Sequence, residues 1–135
     1  MSDTTSAESI VKIWLTDIVD TASERNHLAH MNLISKKVSL SGVPGFENIS
    51  FDDWSNQCQH EFENELIDNI QYQGLKIRAA TDSRIMFVTQ ETIVASDGTQ
   101  NQQGIECLLE TEENGVWRLT QQRVLGEEET AQYLR

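Results

Sequence analysis

The sequence has few of the residues on which disulfide-linked, metal-binding or proline-rich proteins depend. Its 135 residues include two cysteines, one proline and three histidines. Cys58 and Cys107 have no cysteine neighbour and no metal-ligand spacing, so we expect both to be buried free thiols. A metal site needs three or more converging ligands, which the histidines do not supply at any recognisable spacing. The sequence therefore predicts neither a metal nor another cofactor.

Long apolar runs and positive charge are also scarce. No run of about 18 apolar residues is present, and the first residues, Met1 to Thr5, lack the basic and apolar regions of a signal peptide. We therefore expect a cytoplasmic protein. Ten Lys and Arg residues stand against 22 Asp and Glu residues, a net charge of -12. That charge repels nucleic acid and anionic membranes, so the expected partner is a neutral or cationic small molecule.

Helical periodicity is found in the first half of the chain. Thr5 and Glu8 form a capping box, which predicts the start of an amphipathic helix. Its apolar residues recur every three or four positions and are Ile10, Val11, Trp14, Leu15, Ile18, Val19 and Ala22. A second helix is expected from Ser23 or Glu24 to Ile34, with Leu28, Met31 and Ile34 facing inward.

A short strand and a third helix follow. The strand is expected around Val38 to Leu40, and Val43-Pro44-Gly45 is typical of a type II turn. Ser50 and Asp53 predict the cap of the third helix, with Ile49 and Trp54 as a hydrophobic staple. The apolar stripe of this helix is Phe51, Trp54, Cys58, Phe62 and Leu66.

After the third helix the apolar period becomes two, which indicates β-strands. The alternation changes parity across Gly74, where we expect a bulge or a sharp bend. Further strands are expected over residues 84–96 and 104–112. The polar residues 100–103 between them are expected to form a projecting arm.

The last hairpin, from Gly104 to Leu125, allows two registers. A two-residue loop at Asn114-Gly115 would mix apolar and charged residues on both faces. A three-residue loop, Glu113-Asn114-Gly115 with Gly115 left-handed, pairs Leu119 with Leu109 and Arg118 with Glu110. We favour the three-residue loop. In that register the inner face carries Trp117, and Cys107 opposes Gln121 while Ile105 opposes Arg123.

The order of elements predicts an α+β fold, in which a curved antiparallel sheet wraps around the N-terminal helices. This layout, with the Val43-Pro44-Gly45 turn and the ending Asn114-Gly115-Val116-Trp117-Arg118-Leu119, resembles the nuclear transport factor 2-like superfamily, and in particular its SnoaL-like branch. The resemblance covers nearly the whole chain and implies a cone-shaped α+β barrel with a pocket at its open end. It implies one domain over residues 1–135, with 1–4 and 127–135 as flexible or docking tails.

The resemblance also implies a set of possible activities, since the superfamily includes isomerases, cyclases, dehydratases, epoxide hydrolases and binding proteins. Ketosteroid isomerase-like members carry a carboxylate base on the strand after the second helix, where this chain has Lys37-Val38-Ser39-Leu40-Ser41. The polyketide cyclase-like aspartate has no counterpart among Cys107, Gln121 and Arg123. The epoxide hydrolase-like pattern is absent too, because Asp82 and Asp97 lie at predicted turns.

Two histidines are the candidate catalytic residues. His27 and His30 are three residues apart on the second helix, so both can face one side and act as acid or base. The alternative is that they cover the edge of the core near Met31. His60 is expected to be exposed.

The candidate ligand-binding residues are Trp14, Trp54, Cys58, Phe62, Tyr72, Gln121 and Arg123. The aromatic residues either form the wall of an apolar pocket or fill the cone completely. Arg123 either binds an anionic group of the ligand or forms a salt bridge with Glu91 or Glu106.

The resulting hypothesis is a protein that binds a small hydrophobic molecule, with cofactor-independent isomerase, dehydratase or cyclase activity. The alternative is a non-catalytic ligand-binding or homodimeric module that associates through its sheet and has an incidental cavity.

Overall fold

The computed structural model describes residues 3–43 and 45–134. The helices are α1 (Asp3–Ser23), α2 (His27–Met31), α3 (Phe51–Glu63) and α4 (Glu127–Leu134). The strands are β1 (Ile34–Ser41), β2 (Ile67–Ala80), β3 (Arg84–Ala95), β4 (Gln100–Thr111) and β5 (Trp117–Leu125). A short 3-10 turn, Glu113–Gly115, joins the last two strands.

The five strands form one curved sheet in the order β1-β5-β4-β3-β2. The pairs from β2 to β5 are antiparallel, whereas β1 runs parallel to β5. The predicted α+β fold is therefore confirmed, although the edge strand β1 runs parallel to its neighbour and not antiparallel. Its inner face packs on α1 and includes the fully buried side chains of Ile85, Phe87, Ile105, Leu109 and Leu119.

The three N-terminal helices agree with the sequence to different degrees. Helix α1 begins at Asp3, so Thr5 lies inside it and is not its cap. Helix α2 has only five residues, and Leu28, expected inside, is 82% exposed. The cap of α3 is confirmed, because the Asp53 amide donates to Ser50 Oγ at 3.3 Å. Leu66 lies beyond the end of α3 and is exposed.

The strands are longer than expected. β1 begins at Ile34, and residues 100–103 are not a projecting arm but pair with β3 as the start of β4. The bulge at Gly74 is confirmed by the register shift between Gln73 and Leu75 and by its φ of +76°. Pro44 lies outside the described residues, while Gly45 has a φ of +86° and Phe46 N donates to Val43 O.

The hairpin between β4 and β5 has the expected loop but a different register farther along. Leu119 pairs with Leu109 and Arg118 with Glu110, and Gly115 has a φ of +72°. Thr120 is then an extra residue, because Leu108 pairs with Gln121. A bulge of this kind reverses the facing of all later residues in the strand.

The expected C-terminal tail forms α4, which contacts the outer face of the sheet at β2, β3 and β4. Arg123 Nη2 contacts Glu129 Oε2 at 2.8 Å, and the guanidinium of Arg78 stacks 4.5 Å from the ring centre of Tyr133. Within residues 3–43 and 45–134, no helical segment combines the length and the apolar character of a transmembrane span.

Candidate functional site

A cavity of about 620 Å³ lies between the inner face of the sheet and the helices. Apolar and aromatic side chains form much of its wall, and exposed residues of the β1–α3 loop and of α3, such as Phe46, Asn48 and Asp53, mark its rim. This volume is within the range of small-molecule pockets in proteins. The aromatic residues therefore line an open space and do not fill the cone.

Six of the nine predicted site residues line this cavity, namely Trp14, His30, Trp54, Cys58, Phe62 and Tyr72. Trp14 is oriented by a hydrogen bond from its Nε1 to Leu33 O at 3.1 Å. Three of the nine predicted residues are not in the wall: His27, Gln121 and Arg123. His27 Nε2 instead lies 3.0 Å from Ser55 Oγ and 3.1 Å from Ser55 O, where it links α2 to α3.

His30 is held in one orientation by its neighbours. Its Nδ1 lies 2.9 Å from Thr21 Oγ1, and its ring contacts Phe62 edge-on at 5.3 Å between ring centres. Burial, together with the nearby His27, lowers the pKa of His30 to about 4. His30 is therefore neutral at pH 7.

The proton on this neutral ring is assigned from the hydrogen bonds. The single hydroxyl proton of Thr21 is donated to Asp17 O at 2.7 Å, so Nδ1 of His30 carries the ring proton and donates to Thr21 Oγ1. The lone pair then lies on Nε2, which has no hydrogen-bond partner within the described part of the chain. His30 can therefore accept a hydrogen bond from a ligand.

The bulge at Thr120 explains why Gln121 and Arg123 are absent from the wall. Cys107 opposes Gln122 rather than Gln121, and Arg123 opposes Glu106 rather than Ile105, so the predicted pairing is wrong there. Gln122 is buried, lines the cavity and accepts from Cys107 Sγ at 3.6 Å. Arg123 lies on the outer face with Glu106 and Glu129, which hold its pKa above the ordinary value.

Glu91 is a residue of the wall that the sequence analysis considered only as a salt-bridge partner of Arg123. It is 8% exposed and accepts from Tyr72 Oη at 3.0 Å and from Gln103 Nε2 at 3.4 Å. Burial raises the pKa of Glu91 despite these two hydrogen bonds. The sequence did contain a signal that Glu91 faces inward. Glu91 is an even number of residues from Ile85, Phe87 and Ile93, which lie on the inner face of β3.

The two groups next to Glu91, the Tyr72 hydroxyl and the Cys107 thiol, are kept in their neutral forms. Burial and the nearby Glu91 raise the pKa of the Tyr72 hydroxyl well above its ordinary value. The same two causes raise the pKa of the Cys107 thiol. Tyr72 and Cys107 therefore stay protonated beside Glu91 near neutral pH.

Cys58 lines the cavity from α3 as a neutral thiol. Burial, with a smaller effect of Glu61, raises its pKa to about 12. Cys58 and Cys107 are both buried and free, as the sequence predicted. Over residues 3–43 and 45–134, no three His, Cys, Asp or Glu side chains form a cluster that could hold a metal ion.

Comparisons with known proteins identify the fold through solved structures and not through sequence similarity. No protein-family model matches the sequence, and no curated protein shows significant similarity to it. Solved structures do match. A nuclear transport factor 2-like protein from Cytophaga hutchinsonii has a TM-score of 0.72 and 8% identity, over 88% of this chain and 97% of its own.

Two further structures agree with that match. A protein of the same kind and of unknown function from Shewanella oneidensis has a TM-score of 0.72 and 14% identity, over 87% of this chain and 96% of its own. A proposed dehydratase of this family from Streptomyces avermitilis has a TM-score of 0.66 and 15% identity, over 91% of this chain and 96% of its own. At these identities the likeness concerns the fold, and the chain has the nuclear transport factor 2-like fold.

Proposed function

We propose that the cavity binds a small, largely apolar molecule and that the protein transforms it by cofactor-independent acid–base chemistry of the isomerase, dehydratase or cyclase type. The observation that carries this proposal is the buried Glu91, hydrogen-bonded to Tyr72 in the wall of a cavity of about 620 Å³. A carboxyl group with a raised pKa in an apolar site can both donate and accept a proton closer to neutral pH.

The lining residues have distinct roles in this proposal. Glu91 is the general acid or base, and Tyr72 orients it through the hydrogen bond to Oε2. His30 accepts a hydrogen bond or a proton at Nε2. Gln103 and Gln122, which line the cavity, replace Gln121 and Arg123 as the polar ligand-binding residues.

The fold comparison supports this reaction class without selecting within it. The similar structure from Streptomyces avermitilis is described as a proposed dehydratase. Dehydration, isomerisation and cyclisation all require proton removal at one atom and proton delivery at another. Glu91 and His30, on different walls of one cavity, supply two such groups.

The test is to identify ligands that remain bound to the purified protein by native mass spectrometry. A panel of neutral aromatic and polycyclic compounds is then screened by thermal shift. Trp54→Ala should reduce binding because it removes part of the aromatic wall. Glu91→Gln and Tyr72→Phe should leave binding of neutral ligands within about threefold and abolish turnover of any substrate found.

A matched control is Glu110→Gln, which makes the same chemical change on the outer face, where Glu110 pairs with Arg84. It should affect neither binding nor turnover. The proposal fails if nothing is retained and no neutral compound in the panel stabilises the protein.

A further inference from the structure

The acidic residues of the sheet differ in how their charge is balanced. Glu106 Oε2 is 2.6 Å from Arg78 Nη1, and its other oxygen is 3.3 Å from Arg123 Nη2. Glu112 contacts Arg118 at 3.3 Å and Lys37 at 3.9 Å. Each of these partly buried carboxylates therefore has two cationic neighbours.

Glu91 differs from them in both burial and pairing. It is the one acidic residue in the buried class among residues 6–43, 45–113 and 115–134. Its hydrogen-bond partners are the neutral groups of Tyr72 and Gln103, and in that same part of the chain it makes no ion pair. A buried charge is normally paired, because hydrogen bonds from neutral groups offset only part of the loss of hydration.

The surroundings of Glu91 prepare it to receive a cation. Tyr72 donates to Oε2 and Gln103 donates to Oε1, so each oxygen keeps lone-pair capacity for another donor. The Tyr72 ring beside it, with Trp14 and Trp54 elsewhere in the wall, presents aromatic faces that attract cations.

The rest of the cavity wall has the same electrostatic sign. Asp53 and Glu61 line it from α3, and no Lys or Arg of the described chain does. His30 is neutral, and its free Nε2 accepts rather than donates. The net charge of -12 adds a negative potential over the whole molecule.

We propose that the ligand of this cavity is an amine whose protonated nitrogen binds the carboxylate of Glu91 while its apolar body packs against the aromatic wall. This inference rests on the proposed small-molecule function and names the chemical class of the ligand. The ligand supplies the positive charge that arginine supplies to Glu106 and Glu112. An anionic ligand with the same body is disfavoured by the three carboxylates of the wall, those of Asp53, Glu61 and Glu91.

The test uses three indoles that share a body and differ in charge. Tryptamine carries an ammonium group, tryptophol a hydroxyl group and indole-3-acetate a carboxylate. Their dissociation constants are measured on the full chain by calorimetry near pH 7. Tryptamine should bind about tenfold more tightly than tryptophol or better, as expected for a charge-assisted hydrogen bond, and indole-3-acetate should bind most weakly.

Salt and two variants locate the origin of the preference. A preference due to the buried Glu91 should persist at about 0.5 M NaCl, where surface attraction is screened. Glu91→Gln should reduce the preference for tryptamine over tryptophol to below about threefold. Glu61→Gln, the same change at a half-buried position of the wall, should leave most of it.

Each outcome bears on the inference. Equal affinities for tryptamine and tryptophol, or a preference lost in salt, would overturn it while the small-molecule function stands. A preference that persists in correctly folded Glu91→Gln would also overturn it. If neither the indoles nor any neutral probe binds, the proposed function and this inference fail together. If a variant does not fold, the relative affinities of the unmodified protein for the three indoles at high salt still test the inference.

Discussion

Replacing Glu91 with Gln should make the protein more stable at neutral pH. The substitution keeps the shape of the side chain and an oxygen that accepts from Tyr72, but it removes the buried charge. Burial holds the pKa of Glu91 above its ordinary value near 4.5. A carboxyl group of this kind contributes stability that is present below its unfolded-state pKa and is lost as the pH rises through the folded-state pKa.

The size of the gain follows from two opposing effects. Dehydration of a buried ion costs several kcal/mol, and each hydrogen bond that Tyr72 and Gln103 donate to the carboxylate returns about 1.5–3 kcal/mol. We therefore expect a net gain of about 1–3 kcal/mol in unfolding free energy near pH 8. For 135 residues the unfolding entropy is about 0.28 kcal/mol/K, so Tm should rise by about 4–11 °C.

The assay is thermal unfolding of both proteins by circular dichroism between about pH 4 and pH 8. The two curves should converge at the acidic end and separate as the pH rises. Glu106→Gln provides the matched control, because it breaks pairs with Arg78 and Arg123. It should lower stability by about 0.5–1 kcal/mol, as these pairs are partly exposed. A loss of stability in Glu91→Gln at pH 8 would refute the claim that Glu91 lacks a balancing charge.

Three further predictions concern pH and backbone geometry. The His30 imidazole should titrate near pH 4 when followed by NMR. The stability that its low pKa gives the folded protein is present above the ordinary pKa of 6.5 and should fall by about 3 kcal/mol as the pH drops toward 4. A titration midpoint of His30 above pH 6 would contradict its buried, neutral state. Gly42→Ala should cost about 2–4 kcal/mol in chemical denaturation, because φ is +83° and the new Cβ would lie 2.5 Å from a β5 carbonyl oxygen. Gly98→Ala, with a φ of +91° and open space, should cost only about 1 kcal/mol, and equal losses would refute the steric contribution. Gly104→Ala places a Cβ 2.0 Å from Thr130 Oγ1. In a double-mutant cycle, Thr130→Gly should therefore reduce the stability loss caused by Gly104→Ala by about 1 kcal/mol or more. Additive effects of the two substitutions would show that α4 does not pack tightly against β4.

The parts of the fold that the sequence predicts are those determined by local chemistry. Ser50 and Asp53 form the α3 cap within four residues of chain. Gly74 and Gly115 have positive φ values, which glycine adopts without strain. The apolar alternation of β3 and β4 places their side chains on the correct faces.

The parts that were missed depend on contacts between distant segments. Thr120-Gln121-Gln122 is a polar run, so the alternation of apolar and polar residues is interrupted there and gives no sign of a bulge. Helix α2 ends at Met31 and is too short for a reliable period, so the sequence wrongly placed the exposed Leu28 inside. The sequence predicted one part of the site and missed another. The aromatic wall follows from the helix stripes, whereas Glu91 had the parity of an inward residue and was considered only as a partner of Arg123.

The bulge at Thr120 has a consequence for how such a protein can diversify. The segment before it, ending at Leu119, belongs to the core, while the residues after it provide Gln122 to the cavity and Arg123 to the ion pairs that hold α4. Removal of Thr120 itself would leave regular pairing, and Gln122 and Arg123 would keep their faces. Removal of Gln121, with the bulge retained, would instead turn Arg123 inward and place a guanidinium in a cavity whose charged lining, among the described residues, is acidic. A one-residue deletion just after the bulge, rather than a substitution, is therefore a short evolutionary route to a pocket of opposite charge.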